Sequence, residues 1–93
     1  MSGSFEAIRA EALFVSPLQT SEIPGPEQVR RAVATALRRT GIRGCAAQVA
    51  TEFGDHPDLA VPRMRWALAT VRTVYPHHPA PAPQRAPELA LAS

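Results

Sequence analysis

Ten prolines in 93 residues decide where helices can run in this chain. A proline inside a helix removes one backbone hydrogen bond and clashes with the carbonyl four residues earlier. Pro17, Pro24 and Pro26 therefore forbid one continuous helix through "SPLQTSEIPGP", and five more prolines crowd "PHHPAPAPQRAPELALAS". The segments left free are roughly residues 4–14, 26–40, 45–53 and 57–75, all with helical spacing of apolar residues.

The first of these, "SFEAIRAEALFV", sets Phe5, Ile8 and Ala12 at helical intervals, and the extended segment behind it keeps Leu13, Phe14, Val15, Leu18 and Ile23 too apolar for a linker. It reads as an N-terminal arm that packs back onto a core or a partner. The second opens at Pro26, well suited to the first helical position, with Val29, Val33, Ala36 and Leu37 on one face and Arg30, Arg31, Arg38 and Arg39 largely off it. Gly41 then offers a left-handed residue to stop it. The third runs through "CAAQVATEF", with Cys45, Val49, Ala50 and Phe53 on one side and Gly54 ending it. Asp55 is the expected N-cap of the fourth segment. There Val61, Met64, Leu68, Val71 and Tyr75 form a stripe with room for a homodimer contact, and Pro62 marks a kink or a late start.

The fold expected is all-α: a compact three-helix, helix-turn-helix-like core over 26–75, an apolar N-terminal arm over 1–25 made of a short helix and an extended segment, and a disordered Pro/Ala-rich tail over 76–93. About fifty packable residues are marginal alone, so the arm or a second chain has to contribute.

Charge divides the chain unevenly. Residues 1–27 carry Arg9 against Glu6, Glu11, Glu22 and Glu27, a net of −3, whereas 28–75 carry eight arginines against Glu52, Asp55 and Asp58, a net of +5. All ten basic residues are arginine and none is lysine, a mark of a GC-rich genome. A basic core attracts polyanions or acidic protein surfaces, and it also serves as plain solvated surface.

The motif that raises function is "VATEFGDHPD". Ala50 and Gly54 stand where a helix-turn-helix wants a small buried residue and a turn glycine. On that reading the fourth segment is the recognition helix, with Arg63 and Arg65 facing bases or phosphates. The pattern departs from the usual one, because Asp55 and His56 occupy places where an apolar residue and a Ser or Thr are customary. Carboxylates in that first turn repel phosphates. "RMRW" adds Trp66 beside Arg63 and Arg65, a stacking platform for bases or, more commonly for a lone tryptophan on a short helix, an interface anchor. Candidate contacts to nucleic acid or an acidic partner are Arg38, Arg39, Arg43, Arg63, Arg65 and Arg72; candidate interface residues are Phe14, Leu18 and Trp66.

Catalytic and metal chemistry find no support in the sequence. Cys45 is the lone cysteine, and His56, His77 and His78 are scattered, so neither a nucleophile–base pair nor a zinc spacing forms. Glu52, Asp55 and Asp58 are explained as charges near a helix N-terminus. The expectation is a non-enzyme without a cofactor, a metal or an evident small-molecule ligand. No run approaches the roughly 20 apolar residues of a membrane span, and no signal peptide is evident, so a cytoplasmic setting is expected. "ELALAS" resembles a signal for an intracellular protease, but is more simply an alanine-rich tail from a GC-rich genome.

With these residues in view, "RGCAAQVATEFGDHPDLAVPRMRWA" together with "LFVSPLQ" resembles small actinobacterial proteins with a helix-turn-helix-like core. The resemblance covers roughly residues 10–72 and brings no catalytic motif or site residue. It implies a cytoplasmic bacterial protein. The functional expectation is a small non-enzymatic regulatory protein acting by binding, with DNA as one candidate partner, and a protein–protein adaptor using the apolar arm and the fourth segment as the alternative.

Overall fold

A computed structural model of the chain describes residues 3–76. Four α-helices follow one another: α1 (Gly3–Val15), α2 (Pro26–Arg39), α3 (Gly41–Asp55) and α4 (Pro57–Val74). A single 3₁₀ turn at Thr20–Glu22 lies between α1 and α2, and the described residues hold no strand. The expected disordered tail, with His77 and His78, lies outside the described residues.

The N-terminal segment is not an arm. α1 packs against α2, α3 and α4, and its second half is buried almost all round: Ala10, Ala12, Leu13 and Phe14 all belong to the core. Three consecutive buried residues are the mark of a helix enclosed by others. The expected three-helix core over 26–75 is therefore corrected to a four-helix core with α1 in its middle. The largest fully buried side chains come one from each helix: Leu13, Val29, Cys45 and Val71. Around them the core is rich in alanine (Ala10, Ala12, Ala36, Ala60, Ala67), which lets helix backbones approach closely. Phe14 stacks on Phe53 of α3 with ring centroids 6.1 Å apart, joining α1 and α3 through the largest side chains available.

α2 follows its sequence pattern. Val29, Val33 and Ala36 are buried, the arginines face out, Pro26 stands at the first helical position, and the Gln28 side chain accepts from the Gly25 N–H at 3.0 Å. Thr40 is the only residue between α2 and α3. Gly41 takes φ +82°, the left-handed conformation that glycine adopts without strain. The loop before α2 holds the one other positive φ among the described residues, Ile23 at 49°, whose side chain is exposed.

The corner between α3 and α4 differs from expectation. Gly54 does not make the turn. It lies inside α3, exposed and without a positive φ, and Ala50 is exposed rather than buried beneath it. Asp55 is the last residue of α3, and His56 (φ −139°, ψ 63°) breaks the chain and precedes α4 without capping it through its side chain. The break falls there because Pro57 disfavours helical geometry at the residue before it and is itself suited to open a helix. α4 then continues through Pro62, whose exposed position leaves the carbonyl it cannot bond near solvent. The face α4 buries is Ala60, Ala67, Val71 and Val74; of the expected stripe, Val71 is buried, Met64, Leu68 and Tyr75 are half-buried, and Val61 is exposed. The stripe is rotated because alanines, ranked low as core signals in the sequence, occupy the tightest contacts.

Candidate functional site

The arginines expected to act together divide into two groups. Arg63 faces inward. Its Nε donates to the Phe14 carbonyl at 3.1 Å, Nη1 to Leu18 at 2.8 Å, and Nη2 to Ser16 at 2.9 Å and Leu13 at 3.3 Å. These carbonyls belong to the C-terminal end of α1 and the chain leaving it, where a helix has orphan acceptors and the negative end of its dipole. One guanidinium thus closes the helix end from 45 to 50 residues away in sequence. Trp66, one turn further along α4, lies 4.8 Å from the guanidinium and holds it in place by a cation–π contact. Burial lowers the Arg63 pKa, the cost of charge partly removed from water. The "RMRW" constellation is therefore an internal device: Arg63 is a helix cap and Trp66 its support.

Arg72 is likewise engaged. Its Nε meets the Glu6 carboxylate of α1 at 2.9 Å. Beside that pair, Arg9 lies 4.2 Å from the Tyr75 ring and 5.8 Å from that of Phe5. Burial raises the Tyr75 pKa, against the opposing pull of Arg9 and Arg30. Phe14 is buried and Leu18 half-buried within the fold, so both are drawn on by the chain itself.

Arg38, Arg39, Arg43 and Arg65 remain exposed, as does Arg31, and none of them forms an ion pair among the described residues. Four of these five lie on α2 and the first turn of α3, where Glu27 is the sole carboxylate of the helix and pairs loosely with Arg30 at 3.5 Å. Beside them a half-open groove of about 670 Å³ runs between the 15–18 segment, α2 and α3. Its apolar lining is Val15, Pro17 and Leu18 on one side and Ala32 and Ala36 of α2 on the other; Arg31 and Arg39 also line it from α2, and no carboxylate lines it. Neither Arg31 nor the groove was singled out in the sequence. The arginine spacing was readable, but the opposite wall comes from a segment that had no assigned position. A smaller cleft of about 260 Å³, which shares Val15, Ser16 and Gln48 with the groove, has Glu52 and Arg63 in its walls.

Cys45 is buried, and burial, helped by the Glu11 carboxylate, raises its thiol pKa, which suits a core residue and opposes a nucleophile. Among the described residues no group of three or more His, Cys, Asp or Glu is placed to hold a metal, and no helix is long and apolar enough to cross a membrane. Compared with protein-family models, curated proteins and solved structures, the chain matches none.

Proposed function

We propose that this protein is a small non-enzymatic regulator that works by docking an acidic protein partner on the outer face of α2. The observation that carries the reading is the set Arg31, Arg38, Arg39 and Arg43, exposed, unpaired among the described residues, and adjacent to a groove with an apolar lining. Phosphate contacts need positive charge alone, whereas an apolar lining between arginines is what a protein segment uses. The partner surface excludes Arg63 and Arg72, which the fold engages.

DNA binding through the same arginines is the second reading, favoured by the three of them on α2 with Arg43 close by in the first turn of α3. The helix-turn-helix argument for it weakens, since Ala50 and Gly54 do not form the corner and Asp58 sits in the first turn of α4. Self-association is a third element of the proposal: the half-buried flank Met64, Leu68 and Tyr75, with exposed Val61, leaves α4 apolar surface for a second copy. Titration of the full chain against duplex DNA and against an acidic polypeptide, each at two salt concentrations, tests the first two readings. The proposal expects Arg38→Gln and Arg43→Gln to weaken acidic-polypeptide binding, with DNA bound more weakly. Steeply salt-dependent DNA binding tighter than the polypeptide would move the assignment to nucleic acid. Sedimentation equilibrium reads the self-association directly.

A further inference from the structure

The groove beside α2 carries more than net charge. Arg31 and Arg39 are eight residues apart, about 12 Å along the helix axis and about 80° around it, so both lie toward the groove. Between them the α2 wall is Ala32, Thr35 and Ala36, and Leu18 stands on the opposite side. The site is thus cationic at both ends and mainly apolar in between, with the Thr35 hydroxyl as a polar point on the α2 side. Each guanidinium is a planar fork that suits a carboxylate.

A ligand lying along α2 that meets both ends would set two anions about 12 Å apart, the axial separation of the two residues, with an apolar group midway. An extended peptide rises about 3.3 Å per residue, so residues i and i+4 are about 13 Å apart. Residues i, i+2 and i+4 also point to the same side. We propose that the groove binds an extended acidic segment of a partner protein with carboxylates at i and i+4 and an apolar side chain at i+2. The carboxylates meet Arg31 and Arg39, and the apolar side chain lies on Ala32, Ala36 and Leu18. Gln48 on the α3 wall is placed to bond the ligand backbone. This inference rests on the reading of the α2 face as a docking surface and adds the chemistry and spacing of what docks there.

The test uses the full chain and a fluorescein-labelled peptide with the core Glu-Ser-Leu-Ser-Glu, followed by anisotropy at low salt. Saturable binding is expected, reduced about fivefold or more by Arg31→Gln and by Arg39→Gln, since each removes one charge-assisted contact at a partly hydrated site. Moving the second Glu to i+3, or replacing Leu by Ser, should weaken binding comparably, while Arg65→Gln on α4 should not. All three arginines are exposed, so the variants are expected to keep the parent's circular dichroism. If the i+3 and i+4 peptides bind equally, and Arg38→Gln and Arg43→Gln weaken both, the groove inference is overturned while the α2 docking face stands. If no acidic peptide binds, or an oligonucleotide displaces the peptide at far lower concentration, both are overturned.

Discussion

Replacing Arg63 by alanine should be among the most destabilising single changes available outside the apolar core. The side chain gives four hydrogen bonds to the Leu13, Phe14, Ser16 and Leu18 carbonyls. Hydrogen bonds from a charged donor are worth about 1.5–3 kcal/mol each when buried. Arg63 is only partly buried, and water would reach the vacated Leu18 acceptor more readily than those of Phe14 and Ser16. The Leu13 carbonyl also keeps the Ser16 hydroxyl, which donates to it at 2.7 Å. Counting chiefly the Phe14 and Ser16 bonds, and adding the lost support of Trp66, the net loss is about 2–4 kcal/mol. For a domain of this size that lowers the melting temperature by about 10–25 °C. Arg63→Lys keeps the charge but not the fork, and should lose about half as much. Arg65→Ala, two residues away and exposed, is the control and should stay within about 0.5 kcal/mol of the parent. Urea denaturation with a common m-value measures all three. If Arg63→Ala and Arg65→Ala melt together, the four contacts do not hold the end of α1, and the cap reading is refuted.

Burial rather than charge should hold α1 in place: Phe14→Ala should cost about 3–5 kcal/mol through the cavity it leaves against Phe53, while changing Glu6, Glu11 and Glu22 to Gln together should cost about 1 kcal/mol, as thermal melts of the two variants would show. The two glycines at the ends of α3 should respond in opposite directions. Gly54→Ala, helical and with open space around its Cβ position, should stabilise by about 0.5–1 kcal/mol, whereas Gly41→Ala, at φ +82°, should destabilise by about 1 kcal/mol, read by the same melts. The chain contains no lysine, so Cys45 and Tyr75 dominate the side-chain titration above neutrality. Both are raised by burial from their ordinary 9.0 and 10.0, so the unfolded chain releases these protons first; stability, complete below about pH 9, should fall as pH rises further, and Cys45→Ala should delay the onset of that fall in urea melts taken across pH 8–11.

Local chemistry in the sequence determined a good deal. Pro26 and Gly41 bracket α2 where expected, because a missing N–H and a freely left-handed residue act through their own backbone. Val29, Val33, Cys45 and Val49 point inward because their spacing matches the helical repeat. The exposure of Arg38 and Arg39 follows from the same periodicity.

Only the tertiary structure decided the place of α1. Its buried residues run consecutively, so no stripe marks it, and its enclosure depends on three helices that follow it in the chain. Gly54 and His56 belong to local chemistry instead: a helical glycine and a turn glycine look alike in sequence, but Pro57 acts on the residue before it and sets the break at His56. Alanine carries a weak sequence signal for burial, yet Ala60 and Ala67 occupy the inner face of α4, because close-packed helices have room there for little else. Arg63 and Arg65 differ in sequence only by position, and one caps a distant helix while the other faces water. The carbonyls that distinguish them lie some fifty residues away, and no local pattern can report an acceptor that folding alone brings within 3 Å.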